Sequence, residues 1–292
     1  MKLNGRRTSN NVDDRRGKSA GVAGIGGLGI GGVIIYLLFT WISGGDMSSA
    51  VQNIAEQQLS GNVTTQANSG REFTKEEQEL AKFSSQILAG TEDVWTEVFR
   101  GMGKEYTPPK MVLYTGSVST GCGNGQAAMG PFYCSADQCL YIDLSFFTSM
   151  KKQLGADGDF AYAYVIAHEV GHHVEYLLGI LDKGHAQMNR LSKAEANKVS
   201  VRIELLADFY AGVWAHHDNK KFQSLEDGDI EEAINCAHVI GDNYLQEKAQ
   251  GYSMPESFTH GTSAQRKKWL KLGLTTGDMN KGNTFSLSDS EL

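Results

Sequence analysis

The pattern of apolar and polar positions divides the chain into three parts. No charged residue occurs from Ser19 to Gly45, and positions 22–42 are dominated by apolar residues and glycine. At 1.5 Å per residue that stretch is about 31 Å long as a helix, close to the roughly 30 Å hydrocarbon core of a bilayer. The pattern therefore predicts one transmembrane helix over 21–43, preceded by a tail over 1–20. Residues 44–72 are rich in Gly, Ser, Asn, Gln and Thr and predict a flexible stalk. Beyond it the periodicity changes. Thr74 and Glu77 form a capping-box pattern ahead of Leu80, Phe83, Ile87, Val94, Trp95 and Phe99, which predicts one long or two short helices. Residues 111–114 and 140–144 read as strands, and 146–154 as a helix. Longer helical patterns cover 160–178, 192–216 (Val199, Ile203, Leu206 and Tyr210 at helical spacing), 229–248 and 262–273. A loose tail is expected over 277–292. Helices dominate and strands are few, so the expected class is α+β, with one domain over 73–276.

Composition narrows the classes. The chain has 292 residues, 40% apolar and 21% charged, which excludes a disordered or collagen-like chain. A net charge of −7 argues against a nucleic-acid partner. The 34 glycines against 4 prolines concentrate around the expected span. Lys2, Arg6, Arg7, Arg15, Arg16 and Lys18 precede that span, so the positive-inside rule predicts a cytoplasmic N-terminus and an extracytoplasmic domain. A cleaved signal peptide fits less well: the run exceeds the usual apolar region of a signal and lacks a small-x-small site after it. In an oxidising compartment four cysteines suggest two disulfides, with three possible connectivities. Cys122 and Cys134 flank a Gly-rich turn and are favoured, which leaves Cys139–Cys236. A zinc knuckle is disfavoured, because Cys134 and Cys139 have no second matching pair.

The chemistry lies in His168-Glu169-Val170-Gly171-His172. On a helix, side chains four apart share a face, so both imidazoles can bind one metal ion. Glu169 sits at the edge of that face, where it can serve as general base toward a water activated by the metal. The preceding residues 160–167 are uncharged, and a charged turn at the end of a buried helix needs a partner. A catalytic zinc needs a third protein ligand and one open position. Glu204, in Glu204-Leu-Leu-Ala-Asp208, is the candidate ligand. Asp208 lies one turn on, on the same face, placed to orient His168 through its other ring nitrogen. Zn2+ with two neutral imidazoles and one carboxylate keeps a net positive charge that acidifies water. His260, in Phe258-Thr-His-Gly261, is a candidate donor to an oxyanion. His173 lies about 100° round from His172 and reads as a satisfied neighbour. His216-His217 are expected at the end of their own helix.

These residues resemble the bacterial family of neutral zinc metallopeptidases, single-span anchored proteins. The resemblance runs through Asp14-Arg15-Arg16-Gly17, Gly121-Cys122-Gly123 and Met129-Gly-Pro-Phe-Tyr-Cys134. It continues through Tyr141-Ile-Asp-Leu-Ser-Phe-Phe147, Ala167-His-Glu-Val-Gly-His-His173, Glu204-Leu-Leu-Ala-Asp208 with Ala211-Gly-Val-Trp214, and Phe258-Thr-His-Gly261 with Gln265-Arg266. It implies a zincin-like domain, mainly helical with a small sheet, behind one transmembrane helix, and zinc on His168, His172 and Glu204. It departs at Phe209, where family members often carry cysteine. The resulting expectation is a peptidase in the bacterial inner membrane, acting on peptide or protein substrates in the periplasm. Two other readings stand beside it. A zinc-stabilised binding or regulatory module would not need Glu169. A di-iron carboxylate site would need a second Glu-x-x-His, which the chain lacks.

Overall fold

The structure is a computed structural model that describes residues 1–17 and 72–292. It divides into a helical unit (residues 1–9, 83–109 and 156–292) and a sheet unit (10–82 and 110–155).

In the sheet unit, β1 (Val12–Asp14), β2 (Lys110–Tyr114), β5 (Phe132–Cys134) and β6 (Cys139–Asp143) form one sheet in the order β1-β2-β6-β5. β1 and β6 run parallel to β2, and β5 runs antiparallel to β6. The central strands β2 and β6 are buried almost throughout. That is why they read in the sequence as continuous apolar runs rather than alternating ones. Phe132 lies directly opposite Tyr141 in the register, and the two rings stack with centroids 5.0 Å apart. β3 (Ser117–Thr120) and β4 (Gly123–Gln126) make a separate hairpin. Gly125 is required there, since a Cβ would lie 2.5 Å from the Phe132 ring. Cys122 is disulfide-bonded to Cys134. The other expected pairing is corrected: Cys139 and Cys236 are not disulfide-bonded, and each is buried in a different unit. α2 (Ser145–Ser149) runs on into a single π-helical turn over Met150–Leu154.

α1 (Lys75–Gly101) is one helix, opened by the predicted box. Glu77 N–H donates to Thr74 Oγ1, and Thr74 N–H donates to Glu77 Oε2. Its residues from 83 on belong to the helical unit. There it joins α3 (Asp159–Leu177), α4 (Ile180–Met188), α5 (Lys193–Phe222), α6 (Asp229–Val239), α7 (Asp242–Gln250) and α8 (Ser263–Thr276). The single helix expected over 229–248 is broken at Gly241, where a Cβ would lie 2.4 Å from the Ser263 nitrogen. The core is aromatic: Trp95 packs edge-on to Tyr210, Phe160 stacks on Trp214, and Phe209 meets Trp269. α5 and α8 approach through glycines. A Cβ on Gly212 would lie 2.2 Å from the Leu270 carbonyl oxygen, and one on Gly273 would lie 2.1 Å from that of Phe209.

Two expectations about the ends of the chain are corrected. Among the described residues no helix is long and apolar enough to cross a membrane, and the expected span over 21–43 lies outside them, as does nearly all of the 44–72 stalk. The described fold is mainly helical with a small sheet, without the transmembrane helix. The single-pass inner-membrane location that rested on that helix loses its support. The N-terminal residues supply a physical reason. Lys2 N–H donates to Ser224 O at 2.7 Å, Arg6 pairs with the buried Asp218 at 2.6 Å, and β1 adds to the sheet. A tail expected across a bilayer from the domain is instead bonded into the same folded units. At the other end, residues 277–292 are held rather than loose. Arg202 on α5 donates to the Thr284 and Leu287 carbonyls and pairs with Asp289, and Thr284 is buried.

Candidate metal centre

The centre is built where α3 and α5 cross closely. Gly171 makes the crossing possible, because a Cβ there would lie 2.9 Å from the Ala207 carbonyl oxygen. His168 and His172 are one turn apart on α3, and Glu204 and Asp208 one turn apart on α5. The close crossing sets the two pairs against each other.

His168 Nε2 lies 3.1 Å from Glu204 Oε2, and His172 Nε2 lies 3.6 Å from Glu204 Oε1. Ligand atoms of these three residues all lie within 4.8 Å of one another. A tetrahedral site with bonds of about 2.0–2.1 Å separates its donor atoms by about 3.3 Å. The spacing therefore suits zinc, as does a donor set of two imidazoles and one carboxylate. Burial alone raises the Glu204 carboxyl, but His260, His172 and His168 together hold it well below the ordinary value. Glu169 is buried beside the group; there burial prevails over the two histidines and raises its pKa. Among the described residues the other acidic group of comparable spacing, Asp159, Asp229 and Glu232, already has a cation. The Met1 ammonium sits 2.8 Å from Asp159.

Behind His168 the polar groups are fully paired. Its Nδ1 lies 2.8 Å from Asp208 Oδ1. Asp208 is completely buried and also accepts from Tyr164 Oη at 2.6 Å and from Arg266 Nε and Nη2 at 2.8 and 2.9 Å. Burial works against the Asp208 charge, but Arg266 and His168 overcome it and lower the pKa to about 2. Behind His172, Nδ1 lies 2.9 Å from Glu175 Oε2.

His260 is placed by Asp242, the first residue of α7. Asp242 Oδ2 accepts from three successive amides, those of Thr259, His260 and Gly261, at 2.8, 2.7 and 2.9 Å. Asp242 Oδ1 lies 3.3 Å from His260 Nδ1. Burial opposes the charged imidazole, yet the Glu204 and Asp242 carboxylates raise its pKa. The break at Gly241 has its use here, since it starts a new helix with Asp242 aimed at the loop.

All six residues singled out from the sequence lie in the helical unit. Four of them, His168, His172, Glu204 and Asp208, are in direct polar contact. Glu169 and His260 act on the group through their charges. His173 is a satisfied neighbour, its Nε2 2.7 Å from the Thr107 carbonyl. His216 and His217 reach the carbonyls of Leu274 and Gly277 at the end of α8, not the end of their own helix. Tyr164, Glu175, Asp242 and Arg266 were not assigned roles from the sequence. Spacing could have found two: Tyr164 is four residues before His168, and Glu175 three after His172. Nothing in the basic run Arg266-Lys267-Lys268 marks its first member as buried.

Known proteins resemble the chain as a whole. The protein YpfJ of Escherichia coli (strain K12), itself described as uncharacterized, is 49% identical, over 99% of this chain and 100% of its own length. The uncharacterized protein Rv2575 of Mycobacterium tuberculosis (strain ATCC 25618 / H37Rv) is 43% identical, over 67% of each chain. No solved structure matches the chain. The family model described as "Putative neutral zinc metallopeptidase" matches residues 1–285, and the chain belongs to that family.

Proposed function

We propose that the protein is a zinc-dependent peptidase that hydrolyses peptide bonds with Glu169 as general base. The observation that carries this reading is the convergence of His168, His172 and Glu204 ligand atoms beside a buried Glu169. A site that only held a structural ion would gain nothing from that carboxylate, which costs free energy to bury.

His168 and His172 would hold zinc through Nε2, and Glu204 through its carboxylate. Zinc, when bound, supplies a Lewis acid that activates water and polarises the scissile carbonyl. Glu169 takes a proton from the attacking water and later passes it to the leaving amine. Its raised pKa suits a group that must both accept and release a proton. His260 donates an N–H toward the carbonyl oxygen as negative charge develops there, a contribution of about 10²–10³ in kcat for such donors. Asp242 fixes that imidazole, and Asp208 holds His168 in the tautomer that leaves Nε2 free.

Glu169→Gln is expected to lower kcat/KM by about 10²–10⁴-fold with zinc content unchanged. Hydrolysis retained in the zinc-loaded variant would overturn the mechanism. If the zinc-loaded wild type cleaves nothing in a chelator-controlled peptide library, the protein is instead a zinc-stabilised binding module.

A further inference from the structure

Glu175 is a fully buried carboxylate that the proposed chemistry does not use. Among the described residues its only hydrogen bond is with His172 Nδ1, through Oε2, and Oε1 has no partner. No lysine or arginine pairs with it among the described residues. It also lies in the last turn of α3, which ends at Leu177, where the helix dipole disfavours negative charge. Burial, the missing cation and the dipole all oppose an acidic residue at this position. An apolar side chain of the same size would meet none of these costs.

What the position does offer is geometry. Side chains three apart on a helix are neighbours, so the carboxylate meets His172 Nδ1 at 2.9 Å without help from any other element. An imidazole whose Nδ1–H donates must carry its lone pair on Nε2, the atom that lies 3.6 Å from Glu204. We propose that Glu175 is a positioning residue for the metal: accepting from Nδ1, it fixes the rotation and tautomer of His172 so that Nε2 is presented to zinc. This rests on the zinc-peptidase reading of the site. The motif on α3 is thereby longer than five residues, running His168-Glu169-x-x-His172-x-x-Glu175, with the metal-facing histidine and its orienting carboxylate on one helix.

The test is zinc affinity, measured by competition with a chromophoric chelator, on the full chain carrying Glu175→Gln or Glu175→Met. The d–d spectrum of the cobalt-substituted protein is recorded alongside, because a residue that only fills space would not alter it. Glu175→Met should weaken zinc binding about 10–100-fold and change the cobalt spectrum. Glu175→Gln keeps an acceptor oxygen and should recover part of the loss. If Glu175→Met does not fold, the result rests on Glu175→Gln, which is expected to bind zinc several-fold more weakly than wild type. Zinc affinities within twofold of wild type, whatever happens to the thermal midpoint, would overturn the proposal. Failure of the peptidase reading shows elsewhere, as a zinc-loaded wild type that cleaves no peptide.

Discussion

The two histidines of the site are held in opposite ways. His168 is backed by Asp208, which Arg266 and Tyr164 hold in turn, so three helices converge on one carboxylate. His172 is backed by Glu175 from its own helix, with one oxygen unpartnered and no cation among the described residues. The first arrangement is over-determined and ties the metal centre to the core. The second is local and ties only a ring to its helix. Stability and metal affinity should therefore separate: damage behind His168 should unfold the protein, and damage behind His172 should loosen the metal.

The largest expected effect comes from Asp208→Ala, which leaves Arg266 buried without its counter-charge. A loss of about 3–5 kcal/mol in unfolding free energy is expected, read by denaturant titration of the metal-free protein. Glu175→Gln should cost far less in the same titration; equal losses would abolish the distinction. Next comes Gly171→Ala. Its methyl would press on the Ala207 carbonyl and should cost about 1–3 kcal/mol while weakening zinc binding. It acts through the helix crossing itself rather than through a partner of either histidine. Tyr164→Phe removes one of the bonds to Asp208 and should cost about 0.5–1.5 kcal/mol, with zinc affinity nearly unchanged.

The smallest effect is a rate. Cys236 is fully buried in the helical unit, and burial pushes its thiol up to about 12, with Arg266 pulling the other way and Asp208 adding to the rise. The folded state disfavours the thiolate. Its contribution to stability is therefore complete below about pH 9, where the unfolded thiol is neutral, and is lost as pH climbs toward 12. Labelling by a thiol reagent at pH 8 should be slow in the wild type and faster in Asp208→Ala. In Glu175→Gln it should stay at the wild-type rate, since that change leaves the Arg266 side intact.

The candidate ligands were readable in the sequence, and the residues that support them were not. His168 with His172, and Glu204 with Asp208, are each four residues apart, so helical spacing puts each pair on one face of one helix. The same logic reaches the Thr74–Glu77 box that opens α1. Arg266 and Asp242 escape it, since their meaning depends on contacts 58 and 18 residues away. The hairpin β3–β4 escaped as well. Its second strand, Gly-Asn-Gly-Gln, has no alternation to read, because the neighbouring Phe132 fills the space where side chains would stand. The expected membrane helix shows the converse risk. An apolar run of the right length is a local signal, whereas the pairing of β1 with β2 and of Arg6 with Asp218 joins distant parts of the chain. No reading of local hydrophobicity could anticipate those contacts.

The glycine contact between α5 and α8 acts at a distance. Gly273 and Arg266 are seven residues apart on α8, hence on one face and about 10.5 Å apart along the axis. The depth at which the glycines let α8 settle sets how far the Arg266 guanidinium extends toward Asp208. A methyl at 273 would touch no metal ligand, yet it would withdraw a charge from the centre like a lever pivoting on its far end. Positions 212 and 273 should therefore change in concert during evolution, and a small-to-small exchange that looks innocuous on any substitution scale should register first as lost stability.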